Sequence, residues 1–498
     1  MSAATLATWQ ARASALRLRH QAFIDGQFVD AQGGHTFATL NPANGQKLAD
    51  VAACQPADVD RAVVAARRAF EAGVWAQQHP RERKRVLLRL AALIERHTEE
   101  LALLETLDMG KPISDALAYD LPETAKCFAW YAEAIDKQYD EIAPTGPDAL
   151  ATITREPVGV VAAVVPWNYP LMMASWKVAP ALAAGNSVLL KPAEQSPLSA
   201  LRLAELTAEA GIPPGVFNVL PGLGPVTGQA LGLHMDVDCL AFTGSTATGK
   251  RFMAYASESN LKRVWLECGG KSPHIVFDDC PDLDKAAQAA AVGIFSNQGE
   301  VCIAGSRLYV QDGIYDQFMA KVAQCAQGMR PGDPLDPATT MGAIVDENQM
   351  RRVLGYIAAG VSEGATLRTG GMQAHTASGG YYVEPTIFDC PRQAMRIVNE
   401  EIFGPVLAAQ RFHTEDEAVA LANDSPYGLG AGLWTAQLAR AHRVSRRLRA
   451  GLVWVNCYFD GDITVPFGGV KQSGFGRDKS LHALDKYSDF KTTWINLL

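Results

Sequence analysis

The chain has nine cysteines but no CxxC pair, ten histidines but no HExxH or similar ligand spacing, and no apolar run approaching the ~18 to 20 residues that span a bilayer. The odd, scattered cysteines argue against a disulfide framework and for a reducing, cytoplasmic setting. The histidines give no support to a catalytic metal, and the absent apolar run gives none to a membrane partner. Cations are outnumbered as well: 45 Lys and Arg against 53 Asp and Glu leave a net charge of -8. That balance disfavours nucleic-acid binding, where affinity comes from clustered positive charge. The one basic run, Arg440 to Arg449, alternates with Ala441, Val444 and Leu448 at helical spacing and reads as a solvated helix face. Internal repeats and low-complexity tracts are missing. So is the dinucleotide fingerprint GxGxxG, because the nearest match, Gly222 to Gly228, has one residue too many.

What is present is an ordinary globular balance, 48% hydrophobic and 20% charged over 498 residues. That length predicts two or three domains with sizeable cores. Near the N-terminus Leu6, Trp9, Ala13 and Leu16 form a helical stripe suited to packing on the body; the competing reading of Arg12, Arg17 and Arg19 is a transit peptide. Asp58 to Glu105 reads as paired helices broken at His79-Pro80. From Pro157 to Glu267, strand-like runs (Val158 to Val165, Ser187 to Leu190, Val216 to Leu220, Cys239 to Phe242, Arg263 to Leu266) alternate with helical ones (Leu171 to Ala184, Ser199 to Ala210, Pro225 to Leu233, Ala247 to Ala256). Such alternation implies βαβ units, a parallel sheet and a nucleotide site at the strand C-termini. A second α/β series follows Gly270, with strands at Ile275 to Phe277, Ser306 to Val310 and Leu452 to Val455. Tyr139 to Glu156 reads as a hairpin and Lys491 to Leu498 as a terminal strand, edges that pairing between subunits would cover.

Two segments carry chemistry. Cys302 lies in Asn297-Gln298-Gly299-Glu300-Val301-Cys302-Ile303-Ala304-Gly305, flanked by glycines in a loop, whereas the other eight cysteines have apolar or helical surroundings and read as inert core thiols. Glu267, 35 residues upstream, precedes Cys268-Gly269-Gly270-Lys271. A thiol nucleophile forms a covalent intermediate, and a nearby base then activates water to release it. In Phe242-Thr243-Gly244-Ser245-Thr246-Ala247-Thr248-Gly249 a strand leads into a helix, so free N-H groups and Ser245 could face a pyrophosphate; the plain alternative is a capped turn. Lys191-Pro192-Ala193-Glu194 ends the second strand, where an adenosine ribose would lie in a doubly wound fold; the plain alternative is a surface ion pair.

Together these segments resemble the aldehyde dehydrogenase superfamily from about Phe23 to Trp494, and within it the bacterial enzymes that oxidise 4-(γ-glutamylamino)butanal or 4-guanidinobutanal. The resemblance implies a Rossmann-like cofactor domain (1-138 and 157-268), a second α/β catalytic domain (269-480) and a small β oligomerisation arm (139-156 and 481-498) in a homodimer or homotetramer. It implies Cys302 as nucleophile, Glu267 as hydrolytic base and Asn168 as oxyanion donor. NAD would be held by Trp167, Lys191, Glu194, Gly224, Gly244, Ser245, Glu401 and Phe403, and preferred to NADP because Glu194 repels a 2′-phosphate. The small aldehyde would be met by Asp120, Glu123, Tyr169, Trp176, Tyr458 and Asp460, the acids facing a cationic or amide-bearing end. Two residues depart from the common pattern, Glu300 where glutamine is usual and Cys268 where leucine is frequent. A CoA-acylating relative would lack Glu267, and a non-catalytic scaffold would be expected to lack the thiol, amide or base.

Overall fold

Five short runs of small and β-branched residues, Val160–Val164, Ser187–Lys191, Phe217–Val219, Cys239–Thr243 and Arg263–Glu267, form the parallel heart of the first sheet in the computed structural model, which describes residues 5–498. Their spatial order is third, second, first, fourth, fifth. Both faces are covered, as an all-parallel sheet requires. Val161 and Ala163 pack with the helix Pro170–Ala183, while Val160, Ala162 and Val164 pack with Val59, Ala62, Val63 and Ala66 of the helix Pro56–Glu71. Antiparallel strands extend both edges: Ala22–Ile24 and Gln27–Val29 on one side, Gly474–Phe475 on the other.

The second sheet has six parallel strands, Thr386–Asp389, Val406–Phe412, Arg307–Gln311, Pro273–Val276, Gly430–Trp434 and Leu452–Val455, with Thr366–Thr369 antiparallel at its edge. Only Cys268 to Ser272 separate the end of Glu267's strand from the start of Pro273's. The C-terminal strand ends of the first sheet therefore meet the N-terminal strand ends of the second.

The expected strands and helices of the first sheet are present within a residue or two. Two expectations need correction. Asp58 to Glu105 is three helices, not two, because His97 leaves helical geometry between Pro80–Arg96 and Thr98–Met109. Pro225 to Leu233 opens with a π-helical turn, Gly224–Gly228, before Gln229–Leu233. The N-terminal stripe is a helix, Leu6–Ala15, with Trp9 buried and Leu6, Ala13 and Leu16 half-buried. The basic run lies on the helix Leu438–Arg447, where Arg440, Arg443 and Arg447 pair with Asp279, Glu415 and Asp416. Among the described residues no helix is long and apolar enough to cross a membrane.

A third, small sheet stands apart from both. Glu141–Ala143 and Ala149–Pro157 make the expected hairpin, and the terminal strand is Ser488–Asn496. The terminal strand pairs with Ala149–Pro157 of its own chain along all 9 residues, and its other side and the outer side of Glu141–Ala143 are the two edges of this three-stranded sheet. Apolar side chains stay uncovered there, with Tyr139, Ile142, Phe490 and Trp494 all more than 60% exposed.

Asn186 ties this arm to the first sheet. Its buried amide accepts from Gly159 N-H (2.9 Å) and donates to the carbonyls of Ala181 and Tyr487 (both 3.0 Å). Replacing it strands three buried groups, so Asn186→Ala should cost about 2–4 kcal/mol. A lowered urea midpoint checks this; an unchanged midpoint would show that the three groups find other partners.

Candidate active site

Three consecutive residues before the predicted nucleophile, Asn297, Gln298 and Gly299, have left-handed φ of 47°, 56° and 72°. That geometry is unfavourable for the two non-glycine residues and is held by specific contacts. Gln298 donates to Ala343 O (3.0 Å) and accepts from Gly342 N-H (2.9 Å). A Cβ on Gly299 would lie 2.3 Å from the Gly404 carbonyl. Tyr458 O-H donates to Ile303 O at 2.8 Å. The turn delivers Cys302 to the wall of a cavity of about 520 Å³ between the two sheets.

Asn168 follows the first parallel strand and lies on the same wall. One of its Nδ2 hydrogens is donated to Glu300 O (2.7 Å), and Asn297 Nδ2 donates to Asn168 O (3.1 Å), so the loops of the two sheets are stitched together. An amide carries two N-H donors, which leaves one for a guest. Behind it, buried Glu105 accepts Leu171 N-H (2.8 Å) and braces the start of the helix Pro170–Ala183; burial and nearby Asp120 push its carboxyl up to about 8.

Glu267 ends its strand on the opposite wall, buried, with neither carboxylate oxygen hydrogen-bonded. Burial, then the charge of Asp478, raises its pKa well above the ordinary carboxyl value. Burial is also the main reason that the Cys302 thiol is pushed up to about 12, with Glu401 and Glu267 adding to it. The lining thus holds a thiol, an amide donor and a desolvated carboxyl, the parts that acyl transfer needs.

Further along the cavity lie Trp167, Thr243, Gly244, Ser245, Glu401 and Phe403. Trp167 and Phe403 meet edge to face at 5.3 Å. Glu401 accepts Gly270 N-H at 2.9 Å, and burial raises its carboxyl to about 7. Ser245 caps the helix Thr246–Ser257, accepting Thr248 N-H (3.2 Å), yet remains exposed at its N-terminus; Thr243 Oγ1 is buried without a partner. A helix N-terminus with an orphaned hydroxyl and carboxylates beside it fits a dinucleotide's phosphates and ribose. Lys191, Glu194 and Gly224 are not in the cavity wall. They lie along the sheet's C-terminal edge, where Lys191 passes under the Gly224–Gly228 turn and sits 3.7 Å from Glu194.

The substrate residues divide. Tyr169, Trp176 and Asp460 line the cavity. Asp120 lines it too, but not as a solvated acid: the π-helical turn Ala116–Asp120 adds a residue to the helix and turns this carboxylate inward, where buried Lys111 neutralises it. Lys111 also lies 3.6 Å from the centroid of the Tyr169 ring. Glu123 is outside the cavity, within 3.5 Å of Lys126. Tyr458 is outside as well, stacked on His274 at 4.8 Å in a seat made by Gly293, Gly305 and Gly432; it supports the Cys302 loop and does not face substrate. Missed from sequence were Asp115, Phe459, Phe467 and Lys479, all on the wall. Asp115 is one helical turn from the GKP segment, a spacing that could have flagged it.

Both departures become intelligible. Glu300 is wholly buried and accepts Val345 N-H (3.1 Å), a backbone contact that a glutamine amide oxygen could also make, and burial raises its carboxyl well above the ordinary value. The Cys268 sulfur packs 2.9 Å from where a Gly249 Cβ would be, filling the space under the helix Thr246–Ser257. Of the other cysteines, Cys280, Cys325 and Cys457 are half-exposed, contrary to the expected uniform core.

Comparison with known proteins agrees with this geometry. The aldehyde dehydrogenase family model matches residues 28–493. The chain is 55% identical over 492 residues to the NADP/NAD-dependent aldehyde dehydrogenase PuuC of Escherichia coli, covering 99% of each. Among solved structures it superposes with TM-score 0.98 and 59% identity on an indole-3-acetaldehyde dehydrogenase complexed with NAD+, covering 99% of this chain and 100% of that one. The same TM-score, identity and coverage hold for a gamma-glutamyl-gamma-aminobutyraldehyde dehydrogenase from Burkholderia cenocepacia.

A thiol held near 12 is almost wholly protonated at neutral pH. Alkylation of Cys302 by iodoacetamide in the cofactor-free protein should therefore be slow at pH 7 and rise about tenfold per pH unit to at least pH 10. Peptide mapping checks it; a rate already level at pH 8 would mean a preformed thiolate.

Proposed function

The chain belongs to the aldehyde dehydrogenase family, and we propose that it oxidises an ω-amino-derived aldehyde to the carboxylate with NAD, through a cysteine thiohemiacetal and thioester. The observation that carries this is the convergence of Cys302, Asn168 and Glu267 on one cavity whose other end is lined by Trp167, Glu401 and Phe403. As its proton passes to water, Cys302 Sγ bonds to the carbonyl carbon and the π pair of the C=O moves onto oxygen. The free Nδ2 hydrogen of Asn168 and the Cys302 N-H hold the oxyanion. Bound NAD, held by Trp167, Ser245, Glu401 and Phe403, would supply the hydride acceptor. Glu267 then takes a proton from the water that attacks the thioester, a task for which a raised pKa makes it a stronger base.

The two structures at equal identity are named for different aldehydes, so overall likeness does not select the substrate. The cavity's charges favour the aminated class. Asp115 and Asp460 lie on its wall outside any ion pair among the described residues, and Trp176, Phe467 and Tyr169 offer apolar surface to a methylene stem. This reading gives the ammonium-facing role to Asp460 and Asp115, since Lys111 pairs with Asp120 and Lys126 with Glu123. Glu194, with Lys191, supports a preference for NAD over NADP, although PuuC is named for both. The division into cofactor and catalytic domains follows the two sheets, except that Gly474–Phe475 belongs to the first. The exposed apolar arm supports assembly of a homodimer or homotetramer, and the unpaired cysteines a cytoplasmic setting.

The direct test is NADH absorbance with 4-aminobutanal, its γ-glutamyl and guanidino derivatives, and propanal. Glu267→Gln should give a burst of about one NADH per active site and then stall, because acylation precedes the water step. Full steady-state turnover without a burst would move the base elsewhere.

For the arm, Phe490→Ser with Trp494→Ser should lower the mass seen by light scattering. An unchanged mass would show that these side chains are covered by nothing outside their own subunit.

A further inference from the structure

Lys479 is on the wall of the substrate cavity, half-buried, with its ammonium 5.5 Å from the centroid of the Trp176 ring. It has no ion-pair partner among the described residues. The nearby acids are engaged elsewhere: Glu123 and Asp462 with Lys126 (3.5 and 2.9 Å), and Asp478 with Lys177 (2.8 Å) and Lys486. A Cβ on Gly461 would come within 3.8 Å of Lys479 Nζ, which puts the ammonium beside the Asp460-Gly461 segment.

The backbone that aims this side chain is strained. Lys479 and Ser480 have φ of 61° and 50°, left-handed geometry that is unfavourable in two successive non-glycine residues. The conformation is fixed on both sides. Asp478 and Phe467 exchange backbone hydrogen bonds (2.7 and 2.8 Å), Ser480 N-H donates to Ile463 O (2.7 Å), and Tyr131 O-H donates to Ser480 O (3.0 Å). Strain held this firmly next to a cavity points to a role for the residue it orients.

The substrate end of the cavity therefore offers one unpaired cation, Lys479, and two unpaired acids, Asp115 and Asp460. We infer that Lys479 is a specificity residue whose ammonium receives a carboxylate at the far end of the aldehyde while Asp115 and Asp460 receive an ammonium. The enzyme then selects aldehydes that end in an α-amino acid zwitterion over purely cationic ones, for which Lys479 is a repulsive neighbour. This rests on the amino-derived substrate class proposed above and narrows it.

The test compares kcat/KM for 4-(γ-glutamylamino)butanal, 4-aminobutanal and propanal in wild type, Lys479→Met, Lys479→Asn and Lys479→Arg. Asparagine tolerates left-handed geometry, so the Asn variant removes the charge without the backbone penalty that methionine carries. Loss of the charge should lower the ratio of the γ-glutamyl aldehyde to propanal about tenfold, through KM. It should raise the ratio of 4-aminobutanal to propanal. Lys479→Arg should restore the first ratio, and 0.5 M salt should weaken it in wild type. If wild type prefers aminated aldehydes and Lys479→Asn keeps both ratios, the role of Lys479 falls alone. If wild type oxidises propanal as well as either aminated aldehyde, the substrate class falls and Lys479's role with it.

Discussion

The left-handed turn at Asn297, Gln298 and Gly299 is the constraint on which the site depends. A nucleophile must stand in a cavity between two sheets that have no strand in common, and the turn is what brings it there. The residues around Cys302 are locked from several directions at once: Gln298 by the amide exchange with Gly342 and Ala343, Glu300 by Val345, Asn297 by Asn168, and Ile303 by Tyr458. The locks come from three segments, Gly342 to Val345, the loop of Asn168 and the loop of Tyr458. Strain of this size persists only where the surroundings over-determine it, and here the whole second domain, together with the oxyanion loop of the first, does so.

Burial does the chemistry's preparatory work in an uneven way. It holds the proton on the Cys302 sulfur, and by the same desolvation it raises the proton affinity of the Glu267 carboxyl. Beneath Glu267, Asp478 is held low despite its burial because Lys177 and Lys486 both pair with it. That buried trio carries one net positive charge, which favours the ionised form of Glu267 against the desolvation that opposes it. Burial and Asp478 favour the protonated carboxyl of Glu267, and the two lysines favour the charged one.

Periodicity made the strands legible, because parallel strands buried on both faces are written as unbroken runs such as Val160 to Val164. Punctuation made the Cys302 and Glu267 loops legible, since glycines mark where backbone must approach backbone. What the sequence hid was a change of helical register. The π-helical turn at Ala116–Asp120 has no residue-level mark, yet it decides that Asp120 faces Lys111 and that Glu123 faces Lys126. Tyr458 was hidden for another reason: its three-glycine seat is assembled from segments distant in sequence, so only the fold shows that it turns away from substrate.

The same inserted residue bears on specificity. A carboxylate in a cavity wall acts on a ligand only if no internal cation claims it, and Lys111 claims Asp120 while leaving Asp115 outside any ion pair. Removing Lys111 would not simply expose Asp120 as a second ligand for an ammonium, because a buried carboxylate without a counter-ion takes up a proton. Lys111 also opposes the burial that raises Glu105 to about 8, so its loss would hold the proton more firmly on the carboxyl that braces the start of the helix Pro170–Ala183. One lysine in this way bears both on the acids of the cavity wall and on the segment that carries Asn168. A change made to widen the enzyme's choice of aldehyde at that position acts on the chemical step as well.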